Sequence, residues 1–189
     1  AEALPEANLK GDALKTKLDF TNHWEEVPGG FPVLKNPITG AGVPDVVEWT
    51  GAGTQTSPYI IKNEAELKLL AERSLENSYE GKYFQLGTDA QKGTLTITVT
   101  SGTVSNPTNW TPIGSESKPF AGNFDGNGNT ISGIYYKGNG KNIGLFGYVG
   151  ATGVIQNLGL TDSEFENTTS TANTAVNLGS IVGHNAGTL

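Results

Sequence analysis

TISGIYY (Thr130–Tyr136) and VIQNLGL (Val154–Leu160) are the stretches that decide the fold. They begin 24 residues apart, and in that register Ile131 meets Ile155, Ile134 meets Leu158 and Tyr136 meets Leu160. A second glycine-bracketed segment follows each: NIGLFGYV from Asn142 and NLGSIVGHN from Asn177, about 35 apart. The wider spacing reflects an insert, FENTTSTANTAV (165–176), whose Thr, Ser and Asn content suits a surface loop. ATGVI (151–155) is echoed by NAGTL (185–189), where the chain stops in mid-repeat. Self-similarity at such a period is the mark of a repeat architecture.

A unit of two or three short strands has one apolar face and cannot bury it alone. Stacking successive units builds a continuous ladder of Ile, Leu, Val and Phe. Glycines between strands supply corners where φ is positive or a side chain would clash. The expected fold is all-β: a parallel β-solenoid with roughly 20–25 residues per coil. One segment changes period. NEAELKLLAERSLEN puts Leu67, Leu70, Ala71 and Ser74 on one helical face, with Leu69 and Leu75 widening the apolar side. Asn63 as N-cap with Glu66 three residues on makes a capping-box arrangement, so a helix is expected over about 64–77. Laid across the first coil, it would cover an open β-edge that otherwise invites aggregation.

Upstream the sequence is mixed. NLKGDALKTKLDF fits a short helix or a strand, and NHWEEVPGGFPVLK is aromatic-rich and broken by Pro and Gly. NPITGAGVPD (36–45) reads as a linker. The expected organisation is the tail of a preceding module plus linker over 1–45, then the repeat module over 46–189. Within the latter, TLTITVT (94–100) alternates strictly, turning Leu95, Ile97 and Val99 inward.

Composition narrows the function classes. The 189 residues carry a net charge of −7, and the 12 Lys and Arg are scattered. Nucleic acids and anionic membrane surfaces call for clustered cations, so neither is an expected partner. There is no Cys, which removes disulfides, thiolate zinc sites and cysteine nucleophiles. There is no Met either, so AEALPEANLK is read as the start of a processed or excised chain. No run is long enough to span a membrane or to serve as a signal-peptide core. The 26 Gly, with abundant Thr and Asn, favour strands and turns.

The motifs "SPYIIKNEAELKLLAERS", "YEGKYFQL", "WTPIG", "FAGNFDGNGNTISGI", "IGLFGYV", "IQNLGL" and "GSIVGHNAGTL" resemble the GLUG-motif proteins of bacteria. Such repeats occur in large adhesin-like surface proteins and in non-catalytic parts of IgA-type metallopeptidases. The resemblance covers residues 57–189, and several motifs recur in order. HWEEVPGGFPVLK also looks like the Trp…Gly-(Tyr/Phe)-Pro-x-Leu-Lys tail that closes a preceding module. The resemblance implies a right-handed parallel β-helix, exported and surface-associated, with no catalytic residues to carry over. Against a full array the chain stops after one GSIVGHN unit, so C-terminal coils are expected to be missing.

Candidate sites were weighed against plainer readings. In DGNGN, Asp125, Asn127 and Asn129 offer oxygens at i, i+2 and i+4, as a calcium loop begins. The twelfth position, however, is Tyr136 rather than the bidentate Glu such a loop needs. An Asx-rich turn is the expected reading, and FDGNG-x-TI is a structural signature of the resembled repeats. His23 and His184 lack a second histidine at ligand spacing, and HWEEV is not HExxH. His184, at the position of Tyr148 in the earlier unit, is expected at an exposed corner. No Ser lies in G-x-S-x-G. Asp162, Glu164 and Glu166 alternate in TDSEFEN, with Phe165 opposite, and read as a solvated strand edge. Glu25, Glu26 and Asp89 have no visible partners. Trp24, Trp49 and Trp110 all adjoin turns, and Trp110 is expected to pack. Tyr135, between inward-facing Ile134 and Tyr136, is expected to point outward as a surface contact.

The sequence therefore reads as a non-catalytic module of a bacterial cell-surface protein, structural or adhesive, located extracellularly or at the cell surface. No cofactor or metal is assigned. The expected partner is a host glycan or matrix protein, met on the lateral faces and the inserted loop, and an open C-terminal coil could self-associate. The alternatives are a carbohydrate-active β-helix enzyme, whose converging acids are not visible, and an accessory domain of a surface protease.

Overall fold

Short parallel ladders, each closed between residues far apart in the chain, dominate the computed structural model. It describes residues 48–100, 109–170 and 175–189 in full, and the backbone of Trp24–Glu25 and Val33–Leu34. The chain divides into two units, Ala1–Val46 and Val47–Leu189. In the first, β1 (Trp24–Glu25) and β2 (Val33–Leu34) pair antiparallel, Trp24 opposite Leu34. His23, Glu26, the 36–45 linker and the 11–20 segment lie outside the described residues.

The second unit is rich in strands, with one α-helix. β3 (Tyr59–Ile61), β4 (Tyr83–Leu86), β6 (Asn123–Asp125) and β11 (Val154–Gln156) make a four-stranded sheet in the order β11-β6-β4-β3. β5 (Thr96–Thr98), β7 (Thr130–Ser132) and β12 (Gly159–Thr161) make a three-stranded one. Three two-stranded ladders complete the set. β8 (Tyr135–Gly138) pairs with β13 (Glu164–Asn167), β9 (Asn142–Ile143) with β14 (Asn177–Leu178), and β10 (Phe146–Val149) with β15 (Val182–Asn185). Every one of these pairings is parallel.

Like residues fall beside like along the ladders. Tyr59, Phe84, Phe124 and Ile155 form one inward row, and Ile97, Ile131 and Leu160 another. Phe84, Phe124, Ile131 and Ile155 are almost wholly buried, and Leu160 packs against them. Burying each such side chain contributes about 1.5–3 kcal/mol. Leu95, Ile97 and Val99 do face inward, with Leu95 half-buried.

The repeat register differs from the expected one at one place. Ile131 pairs with Leu160 rather than Ile155, Ile155 pairs with Phe124, and Tyr136 pairs with Phe165. The cause is the DGNGN corner. Phe124 to Ile131 is two residues longer than the equivalent Ile155 to Leu160, so a gapless comparison slides the strands out of phase. The second spacing holds, with Asn177 opposite Asn142, and Thr188 bridges Val154 as the ATGVI/NAGTL echo requires. Gly126 shows why corners need glycine. A Cβ there would strike the Asn157 carbonyl oxygen and Leu158 Cα of the next corner.

The helix α1 (Glu64–Arg73) is four residues shorter at its C-terminal end than the expected 64–77. Its start is as read: Asn63 Oδ1 accepts from the Glu66 N–H at 2.9 Å. The Glu66 carboxylate reaches back one residue further than a capping box, to the Lys62 N–H at 2.6 Å. Leu67, Leu70, Ala71 and Ser74 are buried, but Leu75 is 52% exposed and widens no apolar face. The Ser74 hydroxyl explains the stop. It donates to the Ala71 carbonyl at 2.7 Å and accepts from the Gly114 N–H at 2.9 Å, which ties the last turn to another segment.

Candidate functional site

Strand alternation on the four-stranded sheet sends Phe84, Phe124 and Ile155 inward and their neighbours outward. Two outward rows result: Tyr83, Asn123 and Val154, and beside them Gln85, Asp125 and Gln156. With Gln55 and Pro58 at one side, they line a groove of about 370 Å³. Asp125 is its only charged residue. Both carboxylate oxygens are engaged: Oδ1 by the Asn127 N–H at 2.7 Å and Asn157 Nδ2 at 3.1 Å, Oδ2 by Gln156 Nε2 at 2.9 Å. Gln85 Nε2 donates to the Gly87 carbonyl and to Asp89, which supplies a partner for Asp89. The Tyr83 hydroxyl and the Asn123 and Gln55 amides have no protein partner among the described residues. The arrangement can orient hydroxyl-bearing ligands, but it holds no second acid to share proton transfer.

The DGNGN segment is built as a turn. Asn127 takes φ 54° and Gly128 φ 72°, with the Asp125–Asn127 bond closing an Asx turn. Asn127 Nδ2 donates to the Thr88 carbonyl at 3.2 Å. Asn129, 1% exposed, donates to the Leu86 carbonyl at 2.6 Å and accepts from the Leu95 N–H at 3.0 Å. Among the described residues no group of three His, Asp or Glu could hold a metal ion.

Tyr135 is not the surface contact expected of it. It is 7% exposed, and its carbonyl accepts from the Trp110 N–H at 2.7 Å. Gly133, at φ 78°, turns the corner just before it, so Ile134 and Tyr135 are both buried and simple alternation fails. The ring nearer the surface is Tyr136, half-buried, whose hydroxyl accepts from the Gly140 N–H. Trp110 packs as expected and donates to the Leu145 carbonyl at 3.0 Å. Trp49 lies against Tyr59 and Phe84, both at 5.3 Å between centroids, with the Arg73 guanidinium over its ring. Of Trp24 and Glu25 only the backbone is described, in β1.

His184 sits in a strand rather than at a corner. It pairs with Tyr148, as the repeat suggested, and stacks on that ring at 4.2 Å. Of the acidic trio, Glu164 and Glu166 share β13, whereas Asp162 precedes it with φ 47°. Lys137 bonds Glu166 at 2.6 Å, and that bond raises the Lys137 pKa. Residues 171–174 of the inserted loop lie outside the described residues. Its base is fixed by Asn167, which donates to the Gly140 carbonyl and accepts from the Thr169 N–H.

Comparison with curated proteins finds a relative in Evansella cellulosilytica named "Putative Gly-rich membrane protein", 35% identical over 113 residues. The match covers 59% of this chain and 12% of that protein's length. No protein-family model matches the chain, and no solved structure matches it. No helix among the described residues is long and apolar enough to cross a membrane.

Proposed function

We propose that this chain is a non-catalytic, adhesive or structural module of a bacterial cell-surface protein, built as a right-handed parallel β-helix. The observation that carries the reading is the ladder order. From β6 to β10 each strand has a parallel partner in the same sequence from β11 to β15. A chain that winds once between β6 and β11 accounts for all five pairings together. The right hand follows from the strong preference of parallel connections. On this reading α1, with the Trp49, Tyr59, Tyr79 and Phe84 cluster, covers the N-terminal end. The C-terminal edge of β12 to β15 is available for a further coil or a second copy.

A surface location and kinship with GLUG-motif proteins rest on the quoted motifs. The membrane protein named as a relative supports the location. The non-catalytic reading is supported by the groove's single carboxylate, already engaged by three donors. The test has two arms. The purified chain, with and without calcium, is passed over an array of glycans and host matrix proteins, and saturable binding to one class supports adhesion. It is also incubated with a polysaccharide panel while reducing ends and unsaturated products are followed. Turnover would favour the enzyme alternative.

A further inference from the structure

We propose that the groove over β3, β4, β6 and β11 binds a neutral polysaccharide chain lying across the strands, one sugar unit to each strand. This rests on the adhesive reading above and names its ligand class. Successive strands in a sheet stand about 4.7–4.9 Å apart, close to the length of one hexose in an extended β-linked chain. Tyr83, Asn123 and Val154 lie on three successive strands, as do Gln85, Asp125 and Gln156. The groove thus repeats a polar surface at the period at which such a glycan repeats its hydroxyls.

The chemistry agrees with the spacing. Tyr83 is half-buried and offers a flat apolar ring with a polar tip, which suits the C–H face of a sugar. The Asn123 and Gln55 amides are unpaired and each carries donors and an acceptor on one plane, matching a vicinal diol. Charge excludes the acidic glycans. Asp125 is the only charge in the groove, and the whole chain carries −7, so a uronate or sulfate polymer meets like charge without a cation to offset it. An extended peptide is a poorer fit, because it binds sheet edges through main-chain bonds, whereas β4 and β6 are paired on both sides.

The probes are cellohexaose, laminarihexaose and chitohexaose, with oligogalacturonate as the acidic control, titrated calorimetrically into the whole chain. At least one neutral hexasaccharide is expected to bind saturably. Tyr83→Ala should weaken it about tenfold, the loss of roughly one stacking contact, and Asn123→Ala several-fold, while Tyr136→Ala on another face leaves it unchanged. Thermal unfolding of each variant reports whether it folds. If Tyr83→Ala does not fold, Asn123→Ala and shifts of the Asn123 side-chain amide resonances decide instead. No saturation by any neutral probe, tighter binding of oligogalacturonate, or binding indifferent to both groove variants overturns the inference. Array binding to a matrix protein that survives Tyr83→Ala removes the groove and keeps the adhesive reading. Cleavage of a bound hexasaccharide keeps the groove and removes the non-catalytic reading.

Discussion

Replacing Asn129 by Ala should destabilise the chain by about 2–4 kcal/mol, although the side chain touches no apolar core residue through a methyl. Its amide carries two bonds to backbone 43 and 34 residues earlier: Nδ2 to the Leu86 carbonyl and Oδ1 from the Leu95 N–H. Asn129 is 1% exposed and Leu86 is fully buried, so water has little access to either orphaned group. A buried polar group left without a partner costs about 1–3 kcal/mol. Two such groups, with some relaxation of the corner, give the stated range, a large share of the 5–15 kcal/mol that holds a typical domain together. Asn129→Asp keeps the acceptor for Leu95 but sets a carboxylate against the Leu86 carbonyl, so it should cost at least as much. Asn127 is the internal control. It makes one long side-chain bond and sits at φ 54°, so Asn127→Gly should cost under about 1 kcal/mol because glycine takes that conformation freely. Urea unfolding followed by circular dichroism gives all three values. A loss below about 0.5 kcal/mol for Asn129→Ala would refute the view that this amide staples neighbouring corners.

Phe124→Ala, at the centre of the inward row and 5.3 Å from the Phe146 ring, should cost about 3–5 kcal/mol in the same assay. Trp110→Phe keeps most of the packing and strands the Leu145 carbonyl, so about 1–3 kcal/mol is expected. Glu64 has a lowered pKa: burial alone would raise it, but bonds from Lys68 and Thr100 outweigh that. Its contribution is therefore present above the ordinary carboxylate value and lost as pH falls through the lowered folded value. The gap in urea midpoint between wild type and Glu64→Gln should be small at neutral pH and vanish in acid, and a gap that grows in acid would contradict this. Lys137→Ala removes an exposed ion pair to Glu166 and should change stability by less than about 1 kcal/mol.

Local signals in the sequence were read well. The helix start was legible because the cap and the 3.6-residue period both lie within a dozen residues. The Asn142–Asn177 pairing was legible because both segments carry the same glycine bracket. Tyr135 was misread because its side depends on the Gly133 corner, which alternation within a strand ignores. The 24-residue register failed for a related reason, a corner two residues longer in one unit than in the next. The groove was invisible in the sequence, since Tyr83, Asn123 and Val154 become neighbours only through ladders that close 40 and 31 residues. Asn129 looked like any turn residue until its distant partners were in place.

The Ser74 hydroxyl gives α1 a kinetic consequence. The atom that ends the helix also holds the Gly114 N–H, 40 residues on. Amide exchange at Gly114 is therefore gated by the last turn of α1, and the two should open as one cooperative unit. A helix that merely sat on the end of the stack could fray without effect on the rest. Here fraying past Ser74 releases the corner at Gly114, whose next residues, through Phe120, lie beside β10. Loss of structure that starts at the helix would thus propagate two strands further into the core before any edge strand at Leu189 is disturbed.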